Sequence, residues 1–171
     1  KVVKNAEGES LPYKDNTFDV VASLYTLEHV RDVKKVLSES TRVLKPGGYL
    51  YIVVPNYGSF WEGHYGIFWI PYLPKFLAKI YVRLWGKEPY ALSEYQLVSQ
   101  FTLEKYVKDL PLKIHGWGND LFVQKVQNLS IKGGTLDYAR KFLEFLNRIK
   151  ILKLAAITAS LFKAQTPIVL V

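Results

Sequence analysis

The pattern of apolar and polar positions predicts alternating strands and helices in the first part of the chain. Phe18–Leu24 is a short apolar run rich in Val, which is typical of a strand buried on both faces. Asp32 is a suitable N-cap for the segment that follows, whose apolar positions recur three or four residues apart from Val33 to Leu44. Tyr49–Val54 is a second apolar run. Strand, helix and strand in this order predict one βαβ unit with parallel strands and a right-handed crossover.

The ends of these two strands locate a candidate ligand-binding edge. In open parallel sheets, ligands bind beyond the carboxyl ends of the strands. Here those ends are Leu24–Tyr25 and Val54–Asn56, so we expect a cleft there. Upstream, Lys1–Asn5 is predicted to be the end of another strand. Ala6–Asn16 is polar and contains Gly and Pro, which predicts a loop.

Residues 57–95 differ in character from the rest of the chain. They hold 12 of its 25 aromatic residues, together with Pro71, Pro74 and Pro89. A connection this long, following a strand end that faces a ligand, is more often a lid than a plain loop. The aromatic side chains would either line an apolar pocket or attach a cap to the sheet, and the pattern leaves both interpretations open.

The remaining pattern predicts a helix, strand material, a long helix and a final strand. Thr102 is a candidate N-cap of a helix through about Leu110, residues 112–127 suggest strand material, and Pro167–Val171 is predicted as a short closing strand. Between them, residues 135–163 predict a helical insertion before the last strand. Its apolar positions follow a 4-3-4-3-4 spacing along one face: Tyr138, Phe142, Phe145, Ile149, Leu152 and Ala156.

This predicted insertion is also basic. From Ile131 onward, the chain has seven Lys or Arg residues and two acidic residues. Residues 136–163 would therefore suit peripheral contact with an anionic membrane surface. The other interpretation is an extra helix that packs against the sheet, because core helices carry the same apolar pattern.

Composition narrows the class of protein without deciding it. The 171 residues are 49% hydrophobic and 22% charged, as expected of a globular chain long enough to bury a core. The absence of Cys excludes disulfides and thiolate metal sites, and the three His residues lack ligand spacing, so we expect no metal. No apolar run approaches the roughly 20 residues of a membrane span. The net charge of +8 suits an anionic partner or an ordinary basic protein, but no DNA-binding motif is present, so no DNA is expected.

Three sequence strings carry a resemblance to a known family. EGESLPYKDNTFDVV begins at Glu7, LEHV at Leu27 and RVLKPGGYLYIVVPN at Arg42. In this order and spacing they closely resemble the class I S-adenosylmethionine-dependent methyltransferases, especially the broad group that includes ubiquinone-type enzymes. The resemblance implies a Rossmann-like α/β sheet, with an aromatic-rich helical cap and an extra C-terminal helix here. It also implies S-adenosylmethionine as the cofactor and a small or lipid-like methyl acceptor.

The resemblance assigns roles to individual residues on the cofactor side. Glu7 takes the family's acidic position, where a carboxylate accepts a hydrogen bond from the adenine amino group. Gly8 takes the position whose backbone N–H meets a ring nitrogen. Leu24 and Tyr25 follow as backbone neighbours of the methionine end. His29, in the Leu-Glu-His-Val string, is a candidate general base, and a His that only packs locally is the alternative.

Acceptor-side residues are assigned from position and chemistry. Asn56 lies where the family lines its substrate pocket. Trp61 and Tyr65 belong to the aromatic segment, where they are candidate acceptor contacts. His64, in the same segment, is a second candidate base. The turn Lys45-Pro46-Gly47-Gly48 is a family hallmark to which we assign only a structural role.

The Gly-rich cofactor turn of the family lies upstream of the matching strings. Lys1 is not Met, so we expect that the chain is a single partial domain, 1–171, without its N-terminal strands, and that it binds S-adenosylmethionine poorly by itself. Residues 57–95 would be its cap and 135–163 its helical insertion. A non-catalytic binding module and an RNA methyltransferase are the alternatives. We expect a cytoplasmic protein, with peripheral membrane contact as an open addition.

Overall fold

The computed structural model describes residues 3–119, 121, 123–124, 144–164 and 168–170. These residues form two compact units. The first unit comprises Lys1–Pro55, Tyr90–Trp117 and Pro167–Val171, and the second comprises Asn56–Pro89 and Gly118–Thr166.

A three-stranded sheet forms the frame of the first unit. β1 (Phe18–Leu24) runs parallel to β2 (Leu44–Val54), and β5 (Ile168–Leu170) pairs antiparallel with the other side of β2. β1 therefore has exactly the predicted bounds, and the parallel pairing confirms the predicted βαβ unit. β2 begins five residues earlier than the predicted Tyr49–Val54, because Leu44 already pairs with Phe18 of β1. The Lys-Pro-Gly-Gly turn lies in the register shift between this pair and the Val20–Tyr49 pair. The fold is α/β and Rossmann-like, as the sequence predicts.

The crossover helix α1 (Val33–Val43) packs its apolar stripe against this sheet. Asp32 caps it, since its Oδ1 accepts a hydrogen bond from the N–H of Lys35 at 3.0 Å. Val36 and Leu37 are buried in one cluster with Ile52 of β2. The predicted cap and the predicted buried face are both confirmed.

β1 is not buried on both faces, contrary to the sequence prediction. Its Val20 is 59% exposed, and Leu24 is also exposed. Val20 pairs in register with Tyr49 of β2, whose ring is exposed on the same face. The reason is that α1 and α4 (Gln100–Val107) share a single core on the opposite face. β1 is also the edge strand of the described sheet.

The segments around α4 depart from the predicted pattern. Ser99 is the N-cap instead of Thr102, because its Oγ accepts a hydrogen bond from the Thr102 N–H at 3.2 Å. The helix ends at Val107, three residues before the predicted end. The described part of 112–127 contains no strand, and residues 3–5 also lie outside any strand. α3 (Tyr90–Glu94) precedes α4 in this unit.

The predicted C-terminal insertion is not one continuous helix over its described residues. Residues 144–148 are helical, and α5 (Leu152–Leu161) is a separate helix. Lys150 has a φ of 59°, which lies in the left-handed region and interrupts a right-handed helix. Leu152 and Ala156 are buried as the spacing predicts, whereas Phe145 and Ile149 are exposed. Tyr138 and Phe142 lie outside the described residues.

The second unit begins with a hairpin and a helix that share one buried Trp. β3 (Trp61–Glu62) pairs antiparallel with β4 (Ile67–Phe68), and α2 (Lys75–Leu84) follows. Trp69 comes directly after β4 and is fully buried. The Tyr81 ring of α2 contacts it edge-on at 5.9 Å, and the Tyr81 hydroxyl donates to the carbonyl of Phe68 at 3.0 Å. The predicted cap segment is thus an ordered hairpin and helix.

The backbone atoms close to Gly48 allow a test of the β1–β2 pairing. A Cβ at this position would lie 2.7 Å from the carbonyl oxygen of Asp19 and 3.0 Å from that of Lys45, and backbone atoms cannot move aside cheaply. We expect Gly48→Ala to lower the free energy of unfolding by about 1–3 kcal/mol, measured by urea denaturation. Gly63→Ala is the matched control, because no atom lies within 4 Å of the added methyl. Equal stability of the two variants would contradict the prediction.

Candidate functional site

The carboxyl ends of β1 and β2 meet at one edge of the sheet. Leu24 pairs with Val53, and the N–H of Tyr25 donates to the Val53 carbonyl at 2.8 Å. Tyr25 then takes a φ of 50°, an uncommon conformation for a residue other than Gly. Such strained residues cluster at ligand sites, because the surrounding structure must hold them. Leu24 and Tyr25 are both exposed at this edge.

The loop that carries Glu7 is folded into a tight turn. The N–H of Ser10 donates to the Glu7 carbonyl at 3.1 Å, which closes the turn. Glu9 holds the turn in place, since its Oε1 accepts the backbone N–H groups of Arg31 at 2.8 Å and Asp32 at 3.2 Å. These hydrogen bonds, that of Asp32 first, keep the pKa of Glu9 below its usual value. The turn is thereby fixed beside the segment that follows β1.

Glu9 was not among the residues predicted from the sequence. Its partners are 22 and 23 residues away along the chain, so no local pattern points to them. The sequence held one hint of these partners. Asp32 begins a helix, and the exposed N–H groups at the start of a helix attract carboxylates.

Glu7 itself keeps an accessible carboxylate. Its side chain is 68% exposed, and its ion-pair partner is the highly exposed Arg31 at 3.8 Å, a weak interaction in water. Gly8 lies close to α1, because a Cβ there would meet the Val36 side chain at 3.2 Å. The contact of Glu7 and Gly8 with adenine stays a prediction.

A second network attaches the rest of the loop to α1. The guanidinium of Arg42 donates to Glu39, to the Asp15 carboxylate at 2.7 Å, and to the carbonyls of Tyr13 at 2.9 Å and Leu11 at 3.1 Å. The backbone N–H of Leu11 donates a hydrogen bond to Glu39 Oε2 at 3.0 Å. The hydrogen bonds from Arg42 lower the pKa of Glu39 from 4.5 to about 2.

This network predicts a loss of stability in acid. The folded-state pKa of Glu39 lies below its unfolded value, so its contribution is complete above about pH 4.5 and disappears as the pH falls through about 2. We expect Glu39→Gln to cost about 1–2 kcal/mol at neutral pH and to flatten the unfolding profile over that window. Urea denaturation at successive pH values measures this. Glu94→Gln, an exposed carboxylate of α3, should leave the profile unchanged.

His29 lies in a short 3-10 turn, Leu27–His29, just beyond the Tyr25 edge. Its ring is about half exposed and contacts Tyr95 edge-on at 4.4 Å. The Glu28 carboxylate lies 4.0 Å from His29 Nε2 and is almost entirely buried. This arrangement is compatible with both sequence interpretations, a base at the mouth of the site and a locally packed ring. The role of His29 stays a prediction.

The acceptor-side candidates belong to the second unit. His64 Nδ1 lies 2.7 Å from Glu62 Oε1, and Glu62 Oε2 accepts the N–H of Tyr65 at 2.8 Å. The hairpin therefore fixes a carboxylate that orients an imidazole, an arrangement suited to a general base. Sequence analysis named His64 and Tyr65 without their common partner Glu62. Trp61 is half-buried in β3, and Tyr65 is buried.

Asn56 has a clear packing role in the second unit. Its Nδ2 donates to the Lys163 carbonyl at 2.8 Å, and its Oδ1 accepts the Gly58 N–H at 2.9 Å. These bonds join residues far apart in sequence, and the side chain is buried. The neighbouring Tyr57 has its pKa raised to about 12 by burial and, secondarily, by the charge of Glu62. An acceptor contact by Asn56 stays a prediction.

Comparison with known proteins finds matches for the first part of this chain. Residues 1–52 match the family model described as a methyltransferase domain. The ubiquinone/menaquinone biosynthesis C-methyltransferase UbiE of Idiomarina loihiensis is 48% identical over 48 residues, which are 28% of this chain and 19% of that protein. The demethylmenaquinone methyltransferase of Bacillus mycoides is 41% identical over 76 residues, or 42% and 32% of the two chains. The sterol 4-C-methyltransferase strm-1 of Caenorhabditis elegans is 44% identical over 43 residues, or 25% and 13%.

The elements described above define a Rossmann-like α/β segment. Residues 1–52 match the methyltransferase-domain model, and the resemblance to class I S-adenosylmethionine-dependent methyltransferases is confirmed over these residues. The matches to these three relatives span between 13% and 32% of the relatives' own lengths.

Proposed function

We propose that this protein transfers the methyl group of S-adenosylmethionine to a small, lipid-like acceptor. The observation that carries the proposal is the Glu7–Gly8 turn. Glu9 fixes this turn beside the segment that leaves the carboxyl end of β1, within the residues that match the methyltransferase family. In parallel α/β sheets this edge is where ligands bind.

The residues of the first unit supply the cofactor contacts in this proposal. The Glu7 carboxylate accepts the adenine amino group, and the Gly8 N–H donates to a ring nitrogen. Leu24 and Tyr25 border the methionine end through their backbone. When bound, S-adenosylmethionine supplies an electrophilic methyl group on a sulfonium. The contribution of the protein is then chiefly to hold the nucleophile in line with that methyl group.

For the acceptor we propose an apolar small molecule. The names of the matched relatives specify quinone and sterol methylation, and the second unit of this chain is rich in aromatic side chains. Trp61, Tyr65 and Asn56 are the candidate acceptor contacts. His29 and His64 are the candidate bases that would take a proton from the acceptor as its oxygen, nitrogen or carbon atom gains the methyl group.

We also propose that the protein is cytoplasmic and contacts a membrane peripherally through residues 136–163. In the described part of that segment, Leu154 and Leu161 of α5 are exposed. Lys153 lies between the apolar positions of the same helix. None of the described helices has both the length and the apolar character needed to cross a bilayer.

Calorimetric titration of S-adenosylmethionine into the natural protein, with any residues that precede Lys1, tests the proposal. Micromolar binding is expected, followed by transfer of label from methyl-labelled cofactor to an apolar fraction of a lipid extract. Binding without transfer to any extract would favour the non-catalytic binding module instead.

A further inference from the structure

Helix α2 of the second unit presents its apolar side to water. Its inward side consists of Ala78 and Val82, which are fully buried, and Tyr81, which is attached to the hairpin through Trp69 and Phe68. The helix therefore packs within the second unit through Ala78, Val82 and Tyr81. Its Leu and Ile side chains and Phe76 are left on the outside.

The outward side chains form a continuous row. Phe76, Ile80 and Leu84 are spaced i, i+4 and i+8, so they lie one above another on one face of the helix. They are 67%, 52% and 80% exposed. Leu77 and Trp85, also exposed, extend this apolar row toward one side and past the C-terminal end of the helix. An exposed apolar cluster of this kind on a protein surface marks an interaction site.

Cations form the adjacent row of the same helix. Lys75, Lys79 and Arg83 follow the same i, i+4 and i+8 spacing, one position before each apolar residue. Within the described part of the chain, none of the three has a carboxylate within 4 Å. The sequence contains no acidic residue from Gly63 to Lys87.

We propose that α2 is a membrane-docking helix that inserts its Phe76–Ile80–Leu84 row into the headgroup boundary of an anionic bilayer. An interfacial helix combines an apolar face with Lys and Arg beside it, and each such cation near an anionic surface strengthens binding about fivefold. A second copy of the chain is a poorer occupant of this surface, because it would bring two sets of unpaired cations together. A lipid-like acceptor, as proposed above, would be met at such a surface.

Vesicle sedimentation with the 171-residue chain tests the docking helix without cofactor or acceptor, so its outcome is independent of methyl transfer. We expect binding to phosphatidylcholine vesicles that contain phosphatidylglycerol, and little binding to phosphatidylcholine alone. Ile80→Glu with Leu84→Glu should lower the partition constant about tenfold or more. Lys75→Gln with Arg83→Gln should lower it about 25-fold at low salt, without disturbing any described contact.

Matched controls separate α2 from other surfaces. Phe101→Glu replaces a side chain of α4 that is 52% exposed, the same fraction as Ile80, and should leave binding unchanged. Leu154→Glu with Leu161→Glu makes the equivalent change on α5, the other membrane contact proposed above, and tests that contact separately. Loss of binding in the α5 variant but not in either α2 variant would overturn the proposal, as would equal binding to neutral vesicles or no binding at all. A dimer that dissociates on Ile80→Glu, without vesicle binding, would overturn it in favour of a second copy.

Discussion

Trp69→Ala is expected to lower the free energy of unfolding by about 3–5 kcal/mol, the usual cost of truncating a large buried aromatic residue. Trp69 is fully buried and is in ring contact with Tyr57 at 5.4 Å and Tyr81 at 5.9 Å. Removing the indole would leave a cavity where the hairpin meets α2. Denaturation in urea, followed by circular dichroism, gives the unfolding free energy of each variant.

Trp69→Phe is the informative control for this prediction. The indole Nε1 is buried and has no hydrogen-bond partner among the described residues, so the smaller ring loses packing but no hydrogen bond. We expect Trp69→Phe to cost about 1–2 kcal/mol, well below the Ala variant. If both variants have the wild-type free energy of unfolding, the packing of Trp69 does not stabilise this unit and the prediction is wrong.

Glu7→Ala should weaken S-adenosylmethionine binding by the natural protein about 10- to 100-fold. A hydrogen bond to an ionised group contributes about 1.5–3 kcal/mol, and each 1.4 kcal/mol corresponds to a factor of ten in the dissociation constant. Because the Glu7 side chain is largely exposed and, among the described residues, its ion-pair partner is Arg31 at 3.8 Å, the free energy of unfolding should stay within about 0.5 kcal/mol of the wild type. Calorimetric titration and urea denaturation measure the two quantities.

Two further variants define what the Glu7 result means. Glu94→Ala removes an exposed carboxylate of α3 and should leave cofactor affinity unchanged. Glu9→Ala removes the anchor of the turn, so it should weaken cofactor binding and also reduce stability. If Glu7→Ala binds S-adenosylmethionine with unchanged affinity, the proposed contact between Glu7 and adenine is wrong.

The candidate site was predictable where its parts are local in sequence. The strings that begin at Glu7, Leu27 and Arg42 led to the methyltransferase family, which the comparison of residues 1–52 confirms. The hydrogen bonds that hold those strings together were not visible in the sequence. Those of Glu9, and those of Arg42 to the loop, join residues 22 to 31 positions apart. The Glu62–His64 pair was missed for a different reason. Only the turn between β3 and β4 brings the two side chains face to face.

Ser99 and Thr102 show how close a local prediction can come and still be wrong. Either hydroxyl can cap a helix, and their oxygens lie 2.9 Å apart in the folded chain. The final choice depends on where the chain emerges from the preceding segment. The same limit applies at Lys150, where a spacing that predicts one helix is interrupted by a single left-handed residue.

The sequence by itself determined the bounds of β1, the Asp32 cap and buried stripe of α1, and the closing strand β5. These features follow from side-chain periodicity and capping, which act over a few residues. Tertiary structure alone decided that one face of β1 stays exposed and that the apolar row of α2 points outward. Burial depends on which other elements pack against a face, and no local pattern contains that information.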